Sequence, residues 1–208
     1  NFDQSELAAP PRAIAQGFLQ DLAHRHERFW LLSRSSKILD LVEPIVGSDI
    51  SMYLSRCVFK RRRDKNAVVA WHQDMAYWKG VPDKVIVAVA LDRCTRESGG
   101  LCAIRATHLG PVLDHVMNDG FVRLAIPAEA LRSLPDPEAV AMAAGDVLLF
   151  HAKLVHWSPG NISDNDRRIL YFVYQPAVDA VSRRKGPPVI VRGKGSESWD
   201  RFPGQTNQ

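Results

Sequence analysis

The stretch GDVLLFHAKLVHWSPGNISDNDRRILYFVY, residues 145–174, decides the fold class of this chain. It contains three short, mostly apolar runs, at 147–150, 154–156 and 169–174, separated by segments with Gly, Pro, Asn and Asp. Runs of this length with β-branched and aromatic residues, bounded by turn formers, predict β-strands. Several short strands in succession favour an antiparallel sandwich or barrel.

The same pattern extends towards the N-terminus. Residues 84–91, KVIVAVAL, form a nearly continuous β-branched run, typical of a central strand covered on both faces. Residues 101–104 predict another short strand. From residue 49 the apolar period changes to two, which predicts a half-buried strand. Its two faces are expected to carry Met52, Leu54 and Arg56 on one side and Tyr53, Ser55 and Cys57 on the other.

The first part of the chain predicts helices. Near-helical spacing of apolar residues indicates a first helix, interrupted early by Pro10 and Pro11. The apolar positions are Leu7, Ile14, Phe18, Leu19, Leu22 and Phe29. A second helix would begin at Ser35 or Ser36 and end before Gly47, which suits a left-handed cap. Its apolar residues are Ile38, Leu39, Leu41 and Val42.

Helices first and short strands afterwards predict a mainly β fold with flanking helices, most specifically a jelly roll. We expect one domain over residues 1–208, because neither a repeat nor a low-complexity block divides the chain. It would comprise a helical layer at 1–48, a β core at 49–176 and an irregular tail at 177–208. The tail is expected to be irregular because it is rich in Gly, Pro and Ser.

Composition excludes several classes of protein. No apolar run in the 208 residues approaches the ~20 needed for a membrane span. Residues 1–30 lack the charged start and apolar stretch of a signal peptide. Cys57, Cys94 and Cys102 are odd in number and widely spaced, which argues against a disulfide framework. These features favour a cytoplasmic location. The sequence leaves the oligomeric state open.

The net charge of +4 arises from two local clusters. One contains Lys60, Arg61, Arg62, Arg63 and Lys65, and the other contains Arg183, Arg184 and Lys185. Both are predicted to be loops, and neither has the interleaved aromatic residues of a single-strand binder, so we do not expect a nucleic-acid partner. Two interpretations of the first cluster remain: a solvated loop, or a positive entrance that attracts an anionic small-molecule substrate.

The segment Trp71-His72-Gln73-Asp74 carries the main chemical signal. Side chains two apart on an extended strand point to the same side, so His72 and Asp74 could bind one metal ion. His156, at the end of a distant strand, is the candidate third ligand, and His151 is its rival. Two histidines and one carboxylate on one face leave the opposite face of an octahedral ion open. That arrangement suits iron(II) binding both a bidentate co-substrate and dioxygen.

Arg167 extends this hypothesis. It lies where the chain returns as the next strand, and its guanidinium could pair with a carboxylate whose other end chelates the metal. Ser158 is two residues past His156 and could donate a hydrogen bond to the same carboxylate. Arg168 is the alternative anchor, because adjacent strand residues face opposite ways and only one of the two arginines can serve.

On these residues the chain resembles the phytanoyl-CoA dioxygenase-like family of iron(II)/2-oxoglutarate oxygenases. The resemblance rests on WHQDMAYW (71–78), VAVALDRCTRESGGLCAI (87–104) and residues 145–174. It implies a double-stranded β-helix in which His72, Asp74 and His156 hold iron(II). It also implies that Arg167 and Ser158 bind the distal carboxylate of 2-oxoglutarate. The implied reaction consumes dioxygen, releases succinate and carbon dioxide, and hydroxylates or otherwise oxidises an unactivated C–H bond.

One segment departs from the family pattern, because Arg105-Ala106-Thr107-His108 stands where the family usually has Pro-Gly-Ser-His. Arg105 is expected either to project towards the substrate or to point to solvent. Trp78 is a candidate wall of the substrate pocket, with core packing as its alternative. Two other functions remain open: a cupin-like metalloenzyme that does not use 2-oxoglutarate, and a non-catalytic binding protein on the same fold.

Overall fold

The computed structural model describes residues 17–78, 82–120, 122–178, 180–182 and 187–203. The second basic cluster, Arg183 to Lys185, and the first residues of the predicted N-terminal helix, Leu7 and Ile14, lie outside these ranges.

Two antiparallel sheets form the β core. The larger sheet has the order β1-β2-β11-β4-β9, with β12 also paired to β2. Its strands are β1 (Phe18–Gln20), β2 (Ile50–Lys60), β4 (Val85–Ala90), β9 (Val147–His151), β11 (Arg167–Pro176) and β12 (Val189–Arg192). The smaller sheet has the order β3-β10-β5-β8. Its strands are β3 (Val69–His72), β5 (Cys102–Ala103), β8 (Glu138–Ala139) and β10 (His156–Ser158).

A separate hairpin, β6 (Val116–Met117) and β7 (Leu124–Ala125), lies beside β3. The helices are α1 (Leu22–Arg25), α2 (Glu27–Ser33), α3 (Ser36–Val46) and α4 (Ala128–Leu131). As the sequence predicts, α3 follows Ser35 and ends before Gly47, whose φ of 91° is readily adopted by glycine.

The large sheet has an apolar core on each face. Helices α1 to α3 cover one face, where Trp30, Leu39 and Val42 pack against Leu170 and Phe172. On the opposite face, a second apolar cluster packs against the large sheet. This cluster includes Ala103 of the smaller sheet. Strand β4 is buried along its whole length, as its continuous apolar run predicts. This arrangement confirms the mainly β, double-stranded β-helix fold with flanking helices.

Two predicted elements are wrong. Phe18 and Leu19, assigned to the first helix, instead form β1 and pair with Val58 and Cys57. The region predicted to be an irregular tail contains β12, in which Val189 pairs with Met52. In both cases an exposed edge of β2 offers backbone hydrogen bonds that local sequence patterns do not reveal.

The two faces of β2 also differ from the expected alternation. Met52 belongs to the helix-side core, whereas Leu54 belongs to the core on the opposite face. The pairing of β2 with β11 shifts between Val173 and Tyr174, which is a β-bulge or similar irregularity. Because an extra residue changes which side chains face each side, it separates Met52 from Leu54. Beyond the bulge, Arg56 and Lys60 face the interior.

All three cysteines are free and buried, so the prediction that they form no disulfide framework is confirmed. None of the described helices has the length and apolar composition required to cross a lipid bilayer.

Candidate active site

His72 and Asp74 are brought together by a short extended segment followed by a sharp turn. His72 is the last residue of β3, and Gln73 stays extended with φ −120° and ψ 128°. Asp74 then begins a 3₁₀ helix, Asp74–Tyr77. The two side chains therefore project to the same side, as the spacing predicts, although Asp74 is no longer in the strand. His72 Nε2 lies 4.0 Å from Asp74 Oδ1.

His156 joins them through sheet pairing. It is directly opposite His72 in the β3–β10 ladder, and the two imidazole centroids are 4.2 Å apart. His156 Nε2 lies 3.7 Å from Asp74 Oδ2. All three residues are buried, and their ligand atoms lie within 4.8 Å of one another. The structure thus places these three residues where they could share one metal ion.

Both histidines present the correct nitrogen for metal binding. The Nδ1 atoms lie 2.8 Å from the Ala70 carbonyl in His72 and 2.9 Å from the Leu154 carbonyl in His156. We assign the proton to Nδ1, because a carbonyl oxygen only accepts, and this leaves the Nε2 lone pair available. Burial and the neighbouring His156 lower the pKa of His72 to about 3, and burial also lowers the pKa of His156. Both rings are therefore neutral near pH 7.

The Asp74 carboxylate has two different environments. Oδ1 accepts a hydrogen bond of 3.2 Å from Arg56 Nη2. Oδ2 is buried and has no hydrogen-bond partner among the described residues. Burial raises the pKa of Asp74, but Arg56, through its charge and its hydrogen bond, together with the two neighbouring histidines lowers it more, so the carboxyl stays ionised. A buried, unpaired carboxylate oxygen beside two neutral imidazoles fits a divalent metal ion.

Gln73, between the two candidate ligands, fastens this segment to the surrounding loops. Its Nε2 donates to the Pro111 and Lys153 carbonyls at 3.2 and 2.6 Å. Its Oε1 accepts from the Leu113 amide at 2.8 Å. The backbone N–H of Gln73 in turn donates to His115 Nε2 at 3.0 Å, which connects His115 to this segment. Sequence reasoning missed this role of Gln73.

Gln73→Ala is expected to weaken both folding and metal binding. The substitution leaves three backbone groups unpaired, at a cost of about 2–3 kcal/mol in the free energy of unfolding. This corresponds to a Tm decrease of roughly 5–10 °C, measurable by calorimetry. Gln175→Ala is the control, because that buried side chain donates to Val181 on another part of the fold. Equal metal affinity in wild type and Gln73→Ala would contradict this role.

A cavity of about 440 Å³ opens onto the three candidate ligands. Trp78 lines it and also packs edge-on against Tyr53, with centroids 5.2 Å apart. Trp78 therefore belongs to both the cavity wall and the core. Two arginines, Arg56 and Arg123, line the cavity, whereas Asp74 is the one carboxylate among its described lining residues.

Arg167 and the hydrogen-bonded pair Lys60 and Ser158 are all buried in the barrel. Arg167 faces the interior and is 1% exposed. It donates to the Val58 and Gly99 carbonyls at 3.2 and 2.6 Å, while its Nε is buried without a hydrogen-bond partner among the described residues. Ser158 lies on the cavity wall and accepts a 2.6 Å hydrogen bond from Lys60 Nζ. Arg167 is not among the described residues that line the cavity.

Lys60 corrects the prediction for the first basic cluster. It was assigned to a loop, but it ends β2 with its side chain fully buried. Its Nζ also contacts the Ser158 and Pro159 carbonyls at 3.2 and 2.5 Å. Burial, followed by the charge of Arg167, lowers the pKa of Lys60 to about 6. The sequence contains a signal for this inward position. If the strand alternation of Arg56 and Val58 is extended by two residues, Lys60 falls on the same face.

The rest of that cluster is a solvated loop. Arg63 pairs with Asp164 on the exposed surface, and the Arg62 amide donates to Asp166. None of Arg61, Arg62, Arg63 and Lys65 lines the cavity among the described residues.

The rival site residues lie elsewhere. Arg168 points outward and forms a bidentate pair with Asp92, so it is not directed towards the candidate ligands. His151 faces Asp83 at 3.4 Å. Arg105 is exposed and pairs with Glu138 at 2.7 Å, and it lines a different depression from the one above the candidate ligands. Of the two orientations expected for Arg105, towards the substrate or towards solvent, the structure has the second.

A jelly roll with a buried two-histidine, one-carboxylate cluster has the facial triad of the non-haem iron(II) oxygenase class. The family model for phytanoyl-CoA dioxygenase (PhyH) matches residues 7–169. The chain belongs to this family.

Similar proteins agree with this assignment. A probable alpha-ketoglutarate-dependent hypophosphite dioxygenase of Stutzerimonas stutzeri is 31% identical over 151 residues, covering 70% of this chain and 52% of that protein. An L-proline trans-4-hydroxylase of Streptomyces griseoviridis is 26% identical, covering 77% of this chain and 67% of that protein. The chain thus spans about half the length of the first relative and two thirds of the second.

Solved structures show the same fold. The epimerase SnoN, crystallised with Fe3+, alpha ketoglutarate and nogalamycin RO, matches with a TM-score of 0.64 at 22% identity. The match covers 92% of this chain and 71% of SnoN.

Proposed function

We propose that this protein is an iron(II)- and 2-oxoglutarate-dependent oxygenase that hydroxylates or otherwise oxidises an unactivated C–H bond of a small molecule. The observation that carries the proposal is the unpaired Asp74 Oδ2, buried beside two neutral imidazoles at the floor of a cavity. Family membership and the relatives' names support the same activity. The apolar contacts shared by both sheets support a single oxygenase domain over residues 1–208.

The chain's own residues have distinct tasks in this proposal. His72, His156 and Asp74 hold the metal without first releasing a proton, because both rings are neutral. Arg167, Ser158 and Lys60 bind the distal carboxylate of 2-oxoglutarate, since Arg167 Nε lacks a partner among the described residues. Iron(II) with 2-oxoglutarate and dioxygen supplies the oxidant, with release of succinate and carbon dioxide. Trp78 and Leu54 exclude water from the cavity.

We further propose an anionic substrate and a cytoplasmic location. Arg123 is exposed on the segment lining the cavity, where it is placed to attract an anion. One relative is named as a probable hypophosphite dioxygenase, and hypophosphite is an oxyanion, which is consistent with this proposal. Three free cysteines support a reducing compartment.

The function is tested by loading the protein anaerobically with iron(II) and measuring succinate after addition of 2-oxoglutarate and oxygen. Amino acids, acyl thioesters and phosphonates serve as the substrate panel, and an oxidised product must be identified by mass spectrometry. We expect iron-dependent succinate release. Iron-loaded protein that neither releases succinate nor binds 2-oxoglutarate would contradict the proposed function.

Lys60 predicts that 2-oxoglutarate binding takes up a proton. The lysine is mainly neutral above pH 6, and a carboxylate beside it favours the charged form. Binding should therefore weaken as pH rises above 6, by up to about tenfold per pH unit. Calorimetry of iron-loaded, anaerobic protein in buffers of different ionisation enthalpy measures the uptake. Lys60→Met should abolish it and exposed Lys65→Met should not; unchanged uptake in Lys60→Met would contradict the assignment.

A further inference from the structure

We propose that Arg56 is a positioning residue that holds Oδ1 of Asp74 and leaves Oδ2 to face the metal. This inference rests on the proposed function, because it assigns a role towards the metal-binding triad. It concerns a residue outside the three candidate ligands and outside the residues that bind 2-oxoglutarate.

The argument begins with the unequal oxygens of Asp74. Arg56 Nη2 donates to Oδ1 at 3.2 Å, whereas Oδ2 has no hydrogen-bond partner among the described residues. Oδ2 is also the oxygen that lies 3.7 Å from His156 Nε2. A cation on one oxygen withdraws that oxygen's electron density from the metal and fixes the rotation of the carboxylate. The carboxylate would therefore bind the metal through Oδ2.

Arg56 itself packs against two aromatic rings. Its guanidinium carbon lies 5.6 Å from the Phe18 ring centroid and 5.5 Å from that of Tyr171. Tyr171 is directly opposite Arg56 in the β2–β11 ladder, and Phe18 comes from the neighbouring strand β1. A planar guanidinium packed on two rings is restricted in orientation, which an ammonium group would not be. Three strands thus determine where Arg56 donates.

The position of Arg56 suits this role better than recognition of a substrate anion. Its Nη2 already faces the Asp74 carboxylate, which partly compensates the charge of the guanidinium. The Arg56 side chain is 19% exposed. Substrate recognition would predict a change in the substrate KM with unchanged metal affinity. Positioning predicts the reverse: metal affinity and the metal's ligand field change even when no substrate is present.

The test compares Arg56→Met and Arg56→Lys with a matched control, Arg34→Met. Arg34 also lies over an aromatic ring, at 5.3 Å from the Trp30 centroid, pairs with Asp200, and is 18% exposed. Cobalt(II) and iron(II) are titrated anaerobically against a chromophoric chelator, and the visible spectrum of the cobalt form is recorded. Circular dichroism and Tm monitor the fold of each variant.

We expect Arg56→Met to weaken metal binding about 10- to 100-fold and to change the cobalt spectrum. Arg56→Lys should restore part of the affinity, and it remains informative if Arg56→Met does not fold. Arg34→Met should lower Tm without changing the affinity or the spectrum.

Three results would overturn the inference. Wild-type affinity and spectrum in both Arg56 variants would exclude a positioning role while leaving the proposed function intact. A raised substrate KM with unchanged metal affinity would assign Arg56 to substrate binding. Absence of metal binding in the wild-type protein would contradict the proposed function itself, and the inference with it.

Discussion

Asp74→Ala is expected to abolish stable iron(II) binding and to reduce 2-oxoglutarate-dependent succinate formation by more than about 100-fold. Changes in residues that merely orient a ligand cost 10- to 100-fold, so loss of a ligand should exceed about that range. The substitution also leaves Arg56 without the acceptor it has at 3.2 Å. Metal content after anaerobic loading and desalting, measured by mass spectrometry, gives the direct result.

Two control variants test whether the loss is specific to the triad. Asp83→Ala removes a carboxylate that is 59% exposed and that pairs with His151. His151→Ala removes the rival third ligand itself. Both should keep wild-type iron content, whereas His156→Ala should lose it. Full iron retention in Asp74→Ala, or loss in His151→Ala, would refute the proposed triad.

Arg167→Gln is expected to raise the KM for 2-oxoglutarate about 100-fold, within the 2–5 kcal/mol range for removing one partner of a buried charge pair. Arg167 is nearly fully buried, so the distal carboxylate of 2-oxoglutarate would lose a charged hydrogen-bond donor in a site with little water. Iron affinity should change little, because none of the triad contacts described above involves Arg167. Steady-state succinate assays and metal titrations measure the two effects separately.

Arg168→Gln is the matched control, because it is the adjacent residue on the opposite face of β11. Its side chain is 52% exposed and pairs with Asp92, a surface contact expected to contribute less than about 1 kcal/mol. The KM for 2-oxoglutarate should therefore stay near the wild-type value. Arg167→Lys guards against a folding defect in Arg167→Gln. Unchanged turnover in folded Arg167→Gln would favour the cupin-like alternative that does not use 2-oxoglutarate.

Much of the fold was predictable because the spacing of apolar residues along the chain indicates strands and helices locally. The continuous apolar run of β4 predicts a strand covered on both faces, and it is buried throughout. The apolar spacing and flanking residues of α3 predict its start after Ser35 and its end at Gly47. The alternation rule likewise places His72 and Asp74 on one side, since it depends only on neighbouring backbone geometry.

The wrong predictions concern pairing between distant segments. Strands β1 and β12 form because β2 has a free edge, which no local pattern at Phe18 or Val189 indicates. The irregularity opposite Tyr174 moves Met52 and Leu54 to different faces. Lys60 resembles its solvated basic neighbours in sequence, but the end of the β2–β11 ladder directs it inward.

The sequence by itself determined the mainly β fold and the donor types of the triad, because strand alternation and ligand chemistry are local properties. It left Arg167 and Arg168 as alternatives, and the structure places Arg167 inside and Arg168 outside. The tertiary structure alone decided which distant groups meet. It pairs His156 with His72 across two strands. It also brings Arg56 into hydrogen-bond contact with Asp74, and Lys60 with Ser158. Arg105 instead forms an ion pair with Glu138. These contacts depend on strand register, which is set by the summed packing of both sheets.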